Sequence, residues 1–405
     1  MLIAGMVAAT TAMPAQDLPA IRGAVSGELV LSSDLVPPIP WRLEAAPRDS
    51  GNRLQFVASP PDGTVRATVE LASGAVSNEW AIDEARLEVA PWWRRVGSRL
   101  APDWSAIDLT GAVELTGRGT WDKEGLVGDL HARWNAPRVS LSDPEVVVEN
   151  LAVTFEAASG WTSGEVAGEG TVTFDRVTAA SLVTANGSSS FRLSSDFSWE
   201  IGPLEVEALG GRASVAPITW REGTTELTLA VTLAGVELEQ LASLAPETLR
   251  DARGRVSGRV LLRWSEAAGI VPLDGVLRLD EAATAQVRLS PQPGLLTNRI
   301  PRQFNLLPRW LGPVAERWLA PKNPAYAALE AIELGREPLH VDTFRVDFFP
   351  PDDPLGRSAR VILAGKPAGD APIERVSITV NLNGPLSDLI RLVFDERVQI
   401  DAGTP

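Results

Sequence analysis

The feature that most constrains the fold of this chain is a pattern of residues that occurs twice. The first copy reads Leu100-Ala-Pro-Asp103, Gly111-Ala-Val-Glu114 and Trp121-Asp-Lys-Glu-Gly125. The second copy reads Leu244-Ala-Pro-Glu247, Gly254-Arg-Val-Ser257 and Trp264-Ser-Glu-Ala-Ala-Gly269. In both copies the tryptophan follows the glycine by ten residues, and Gly23-Ala-Val-Ser-Gly27 is a shorter echo near the start. Such self-similarity predicts an architecture that stacks related units, with function on the surface that the units share.

Apolar and polar residues alternate along much of the chain, which is typical of β-strands with one apolar face. The clearest runs place apolar residues at Leu227, Leu229, Val231, Leu233, Val376, Ile378, Val380 and Leu382, with a weaker run at Val172 and Phe174. Helices are expected only at residues 91–100, 237–249, 300–335 and 386–396, with Asn323 and Pro324 as an N-cap and first helical residue. The patterns predict a mainly β chain with long antiparallel strands and a few short helices.

Composition excludes several classes of function. The formal net charge is −15, whereas proteins that bind a phosphate backbone carry a basic surface, so we expect no nucleic-acid partner. The chain has no cysteine, which rules out disulfide bonds, a thiolate nucleophile and a cysteine-ligated metal.

The residues that carry catalysis in other proteins are sparse. His131 and His340 are the only histidines, and they lack the paired spacing of a metal site. Asp352 and Asp353 lie between prolines and are interpreted as a solvated turn. The chain contains no phosphate-binding loop, nucleophile elbow or Ser-x-x-Lys set. We therefore expect no catalytic residue, no cofactor and no metal site, and hence no enzyme.

Two segments bear on membranes. Residues 1–15 are small and apolar, and they fit either the core and cleavage zone of a signal peptide or a mis-set or truncated start. No other stretch is a candidate transmembrane helix, so any membrane contact is expected to be peripheral or through a partner. The sequence Trp92-Trp93-Arg94-Arg95 fits a site at the lipid headgroups, but it also fits tryptophans that cover the end of a sheet beside solvated arginines.

The stretch from about residue 193 to residue 400 resembles the C-terminal half of the YdbH-like proteins of Gram-negative envelopes, within the AsmA-like superfamily. The resemblance rests on short glycine-containing and apolar motifs: Gly210-Gly-Arg-Ala-Ser214, Leu233-Ala-Gly-Val-Glu-Leu238-Glu-Gln-Leu241, Gly254-Arg-Val-Ser-Gly258-Arg259, Val276-Leu277, Ala320-Pro-Lys-Asn-Pro-Ala-Tyr326 and Asn381-Leu-Asn-Gly384-Pro-Leu-Ser-Asp-Leu389. The upstream half, with Gly111 and Trp121, is similar to another AsmA-type repeat.

The resemblance implies an elongated, curled antiparallel sheet that forms an AsmA/TamB-like open groove lined with apolar side chains. It also implies transport of phospholipid between membranes, a location in the periplasm or cell envelope, and membrane or membrane-anchored envelope partners. The expected division of the chain is an N-terminal repeat region over residues 16–192, then a groove region over residues 193–400 with a helical insert at 300–335.

Elementary physics agrees with this expectation, since an apolar sheet face must be covered by helices, a second sheet or a ligand. Eight residues of strand extend about 26 Å, and half of a bilayer's hydrocarbon core is about 15 Å. One strand could therefore cover an acyl chain, and the alternating apolar residues named above, from Val172 to Leu382, are the candidate groove lining. Two alternatives stay open: an envelope scaffold with a closed core and no ligand, and an extracellular β-solenoid enzyme that acts on polysaccharide.

Overall fold

A computed structural model describes residues 20–30, 38–49, 51–60, 62–72, 77–100, 106–121, 126–142, 145–158, 167–179, 182–221, 223–243, 249–265, 269–280, 285–291, 293–303, 322–369 and 373–383. The described strands of the first half are β1 Gly23–Leu29, β2 Ile39–Arg48, β3 Gly51–Ala58, β4 Gly63–Ala72, β5 Asn78–Glu88, β6 Ile107–Leu109, β7 Ala112–Trp121, β8 Leu126–Ser142, β9 Glu145–Ala158, β10 Gly168–Ala179 and β11 Leu182–Leu193. Those of the second half are β12 Trp199–Ile201, β13 Leu204–Ala208, β14 Gly211–Val215, β15 Ile218–Trp220, β16 Glu226–Glu237, β17 Leu249–Arg253, β18 Arg255–Ser265, β19 Gly269–Leu279, β20 Ala285–Leu289, β21 Leu339–Phe348, β22 Arg357–Pro367 and β23 Val376–Asn383.

Three α-helices lie between these strands in the described residues: α1 Val89–Leu100, α2 Leu238–Ser243 and α3 Pro324–Glu333. All 23 strands belong to one antiparallel sheet, and no pairing among the described residues joins its ends into a barrel. The predicted fold class, a mainly β chain with an open antiparallel sheet and few helices, is therefore confirmed.

The chain divides into two compact units. Unit 1 contains residues 1–179, 185–204 and 217–224, and unit 2 contains residues 180–184, 205–216 and 225–405. In unit 1 the strands follow one another as a meander in which β2 to β5 pair in order, β5 pairs with β7, and β7 to β9 continue to β10. In unit 2 the order is β14, β16, β18, β19, β21, β22 and β23.

The duplicated pattern corresponds to a repeated structural unit. Gly111 and Gly254 both have positive φ, which glycine adopts without strain, and both stand immediately before a strand. The backbone N–H of Val89, the first residue of α1, donates to the Gly111 carbonyl at 2.9 Å. The N–H of Leu238, the first residue of α2, donates to the Gly254 carbonyl at 3.0 Å. Each copy is thus a strand, a helix and a returning strand, joined by the same hydrogen bond.

The strands of the two copies share a second feature, a bulge. The pairing of β5 with β7 shifts between Ile82 and Ala85, and that of β16 with β18 shifts between Leu233 and Val236. In both cases the outgoing strand contains one residue more than its partner. The two copies are therefore related by geometry as well as by sequence, as the repeat predicts.

The cores of the two units differ in composition. In unit 1 a small cluster joins Trp80, Ile82, Trp121, Leu130 and Ala157, and no described helical residue belongs to it. In unit 2 a larger cluster joins strand residues to Leu238 and Ala242 of α2 and to Leu329 and Ile332 of α3. Helices thus cover part of the sheet in unit 2.

The helix predictions are confirmed in part. Residues 91–100 lie in α1, and Asn323 caps α3, where its Oδ1 accepts from the Ala325 N–H at 3.1 Å. The predicted end of the second helix at residue 249 is wrong, because Leu249 begins β17 and pairs with Leu289 of β20. Residues 304–321 of the third predicted helix and all of 386–396 lie outside the described residues.

Candidate functional site

The apolar side chains of unit 1 line up in rows across neighbouring strands. One row follows the strand register through Leu43, Phe56, Ala67, Ile82, Gly117, Leu130 and Ala157. The next row follows Trp41, Ala58, Val65, Ala85, Leu115, Ala132, Phe155 and Gly170. We call the side of the sheet that carries these rows the apolar face of unit 1. Most members of the second row are only partly buried, so solvent or a ligand can reach them.

The opposite side, the polar face of unit 1, carries charged side chains that pair across strands. Representative pairs are Arg53–Glu70, Arg66–Glu84, Arg86–Glu114, His131–Glu156 and Arg176–Glu149, with the side-chain nitrogen and oxygen atoms 3.2–4.0 Å apart. All of these side chains are exposed, so each pair contributes little to stability. The pairs bring opposite charges together on one side of the sheet, and the two rows named above on the other side consist of uncharged residues.

Aromatic residues are concentrated on the apolar face. Almost every strand of unit 1 contributes one: Trp41, Phe56, Trp80, Trp121, Trp134, Phe155, Phe174, Phe191, Trp199 and Trp220 lie on β2, β3, β5, β7, β8, β9, β10, β11, β12 and β15. Neighbouring rings contact one another, since the Phe155 and Phe191 centroids are 6.1 Å apart with parallel planes, and those of Phe191 and Trp199 are 5.7 Å apart. This series cannot be recognised in the sequence alone, because it becomes visible only when the register of the strands is known.

Several of these rings lie over glycines. A Cβ added at Gly27 would lie 3.1 Å from the Trp41 ring, and one added at Gly128 would lie 2.7 Å from the Trp80 ring. Phe174 covers Gly187, and Phe191 covers Gly170, closely enough that neither glycine could carry a side chain without moving the ring. The rings therefore lie down on the sheet instead of standing up from it.

The predicted groove residues of unit 1 lie on this apolar face. Val172 is opposite Val153 of β9 and is partly buried, and Phe174 is the ring that covers Gly187. The strand predicted there is confirmed as β10.

The predicted groove residues of unit 2 occupy two environments. Leu227, Leu229 and Val231 are partly buried on one side of β16, and Thr228 and Thr232 on its other side are exposed. Leu233 packs against the helix-covered cluster, to which Val376 and Ile378 themselves belong. Val380 and Leu382 are opposite Val361 and Ala359 of β22.

The four membrane-contact candidates lie at the start of α1. The Trp93 indole N–H donates to the Ile107 carbonyl at 2.6 Å, and the Arg95 guanidinium is 3.1 Å from the Asp62 carboxylate. Trp92 is partly buried, and the Arg94 side chain is 74% exposed. The contacts of Trp93 and Arg95 agree with the interpretation that this segment covers the end of the sheet. Contact of the segment with lipid headgroups stays a prediction.

The histidines and aspartates singled out from the sequence do not form one site. His131 is exposed beside Glu156 in unit 1. In unit 2, His340 and Asp353 lie near opposite ends of β21. Asp353 accepts from the backbone N–H groups of Leu355 and Arg357 and pairs with the Arg357 guanidinium, which holds the pKa of Asp353 far below its usual range. Asp353 therefore stabilises a turn.

A buried carboxylate, which no sequence pattern indicated, connects α3 to residues 296 and 297 by hydrogen bonds. Glu333 is 2% exposed, and it accepts from the backbone N–H groups of Leu296 at 2.8 Å and Thr297 at 3.1 Å and from the Thr297 hydroxyl at 2.7 Å. Burial raises the pKa of Glu333, but these hydrogen bonds outweigh burial and leave the pKa below its usual value. The charged carboxylate thus stabilises the helical cover of unit 2.

Two features of the geometry bear on the class of function. Within the described ranges, no group of three or more His, Asp or Glu side chains could hold a metal ion. No helix in the described part of the chain is long and apolar enough to cross a bilayer.

Comparison with known proteins identifies the family. Searches of curated proteins and of solved structures find no match. A family model described as YdbH-like, intermembrane phospholipid transport protein YdbH, matches residues 49–298. The match includes residues 49–192, where the sequence shows only a looser likeness, and it covers 250 of the 405 residues. It ends before the motifs at 320–326 and 381–389. The chain therefore belongs to the YdbH-like family of intermembrane phospholipid transport proteins.

Proposed function

We propose that this protein binds the acyl chains of phospholipids on the apolar face of unit 1 and thereby moves phospholipid between the membranes of a Gram-negative envelope. The observation that carries the proposal is the continuous, partly buried apolar face, which crosses eight strands from β2 to β10. The family supports phospholipid as the ligand.

The dimensions of the face suit an acyl chain. Ten residues of β7 extend about 33 Å, and half of the hydrocarbon core of a bilayer is about 15 Å. Apolar contact contributes roughly 25 cal/mol per Å² with little directional preference. A ligand held in this way can slide along the rows, because each new position offers the same kind of contact as the last.

The separation of the two faces supports a role without catalysis. Charged groups lie on the polar face of unit 1, where they pair with one another, and a lipid on the apolar face would meet few of them. In this proposal the protein is not an enzyme, needs no cofactor, and acts in the periplasm with membrane or membrane-anchored envelope partners.

In unit 2, one observation favours the alternative function, a scaffold with a closed core that binds no ligand. Val376 and Ile378, both candidates for the groove, are buried members of the cluster to which α2 and α3 also contribute. We propose that these two residues stabilise the fold, and that Leu227, Leu229 and Val231 of β16 form a separate lipid-binding surface within unit 2.

Two adjacent residues of β7 test the proposal. Leu115 lies on the apolar face, and Thr116 lies exposed on the polar face. Lipid is extracted from each purified protein and measured by mass spectrometry, and transfer of fluorescent phospholipid between vesicles is measured alongside. We expect Leu115→Asp to lose both lipid and transfer and Thr116→Asp to keep both. A wild-type protein that carries and transfers no phospholipid would contradict the proposal.

A further inference from the structure

Strands β10 and β11 carry the same short motif, glycine followed four residues later by phenylalanine. The motif reads Gly170-Thr-Val-Thr-Phe174 in β10 and Gly187-Ser-Ser-Ser-Phe191 in β11. The two copies cover each other: Phe174 of β10 lies over Gly187 of β11, and Phe191 of β11 lies over Gly170 of β10. The two copies of the motif therefore form a reciprocal pair. Phe155 and Trp199 lie beside Phe191, and we call the four rings of Phe155, Phe174, Phe191 and Trp199, with the two glycines, the aromatic floor.

A glycine on a lipid-binding face exposes the polar backbone, and a ring that lies over the glycine covers the backbone again. Glycine has no side chain, so the peptide groups beside it are open to whatever lies on the sheet. Even where those groups are hydrogen-bonded within the sheet, an acyl chain laid directly against them removes water and offers no polar partner, which is unfavourable. A phenyl ring that lies over the glycine shields them, as aromatic residues do for glycines in other sheets.

The glycine in turn decides where the ring lies. The three atoms nearest to a Cβ added at Gly187 all belong to the Phe174 ring, so any side chain there would push the ring away from the sheet. Gly187 is buried by the ring, although Phe174 itself is only partly buried. The pair thus keeps the surface apolar and keeps the ring close to the sheet, which leaves room above the ring for a ligand.

We propose that the aromatic floor is the part of the apolar face that acyl chains contact, and that Gly187 and Phe174 determine together whether lipid is accepted. This inference rests on the proposed function and adds to it a location and a pair of specificity-determining residues. Phe174 together with Gly187 allows lipid to bind, and so does a smaller residue at position 174 together with alanine at position 187. The two mixed combinations bind lipid more weakly, because an added methyl group at position 187 lifts the ring and a smaller residue at position 174 uncovers the backbone.

A double-mutant cycle tests the inference on the full chain. The probe is phosphatidylethanolamine with a fluorescent acyl chain, supplied in vesicles, and the readouts are bound probe and circular dichroism. We expect about tenfold weaker binding for Gly187→Ala, corresponding to about 1.4 kcal/mol. We expect weaker binding, by about threefold, for Phe174→Leu, and recovery to within about twofold of wild type for the double variant.

A matched control uses Gly23, where an added Cβ meets nothing within 4 Å, so Gly23→Ala is expected to bind like wild type. If wild type binds no probe, the proposed function itself fails. If wild type binds and both single variants bind equally well, or if the double variant is no better than the worse single variant, the inference about the floor is overturned. Should Gly187→Ala fail to fold, Phe174→Leu and the double variant still decide, because the double variant removes the clash.

Discussion

Unit 1 and unit 2 each carry a sheet with an apolar face, but they cover it differently. In unit 1, rings such as Trp80 and Phe191 lie over glycines of the sheet itself, and the described core cluster contains no helical residue. In unit 2, α2 and α3 place Leu238, Leu329 and Ile332 over the strands, and these three residues are almost fully buried. The first arrangement leaves a face that a ligand can reach, and the second covers part of the face with helices.

The difference arises from the segments that come after the repeated strand, helix and strand. In the first copy β8 runs without a break from Leu126 to Ser142 and pairs with both β7 and β6. In the second copy the corresponding part is divided into β19 and β20, and the chain after β20 supplies α3. One repeated unit therefore supports either an accessible face or a closed core, depending on its insertions.

The largest effect is expected from a charge in the buried core. Ile378→Asp places an unpaired carboxylate in the buried cluster of unit 2, which costs more than about 4 kcal/mol and is expected to abolish folding. Val231→Asp lies on the partly buried side of β16, where the carboxylate can reach water, so we expect a folded protein that carries less lipid.

Thermal melting and lipid extraction of these two variants measure the contrast. Equal loss of folding in both variants would show that the surface around Val231 is also a closed core, which would contradict the proposed lipid-binding surface on β16.

The matched tryptophans sharpen the comparison between the two copies. Trp121 is 8% exposed in the cluster of unit 1, whereas Trp264, its counterpart in the repeat, is only partly buried. We expect Trp121→Ala to lower the free energy of unfolding by about 3–5 kcal/mol and Trp264→Ala by roughly half of that. Denaturant titration followed by circular dichroism provides the measurement, and a larger loss for Trp264→Ala would mean that the two copies do not share one packing role.

A smaller effect is expected at the carboxylate that holds α3. Glu333→Gln keeps one acceptor oxygen but turns an amide N–H₂ toward donors, so we expect a loss of about 1–3 kcal/mol. Because the folded-state pKa of Glu333 is depressed, its stabilisation is present above the unfolded pKa of about 4.3 and is lost as pH falls through the folded value.

The difference in stability between wild type and Glu333→Gln should therefore shrink at acid pH. Glu330→Gln, a change at a partly exposed residue of the same helix that pairs with Arg302, serves as control and is expected to cost less than about 0.5 kcal/mol. A pH-independent difference would argue that shape, and not charge, matters at residue 333.

The fold could be predicted from the sequence because its signals are local. Alternation identified β10, β16 and β23, and Asn323 and Pro324 placed the start of α3 correctly. The helix predicted to end at residue 249 was too long, since nothing local shows that Leu249 pairs with Leu289, forty residues later.

The site was harder to predict because it depends on contacts between strands. Val172 and Ile378 have the same local pattern, yet Val172 is partly buried on an accessible face and Ile378 is buried in the core cluster of unit 2. The glycines opposite Phe174 and Phe191 carry a visible signal, the repeated spacing of four residues, but its meaning requires the strands to be side by side.

The central claim is that acyl chains contact the apolar face of unit 1, and site-specific photo-crosslinking in cells tests it most directly. Val172 of β10 lies on the apolar face, and Thr173, one residue later, is exposed on the polar face. A benzophenone amino acid at position 172 should yield an adduct with phospholipid, detectable by mass spectrometry, and the same probe at position 173 should yield none. Equal labelling at the two positions, or none at position 172 in a folded protein, would contradict the account.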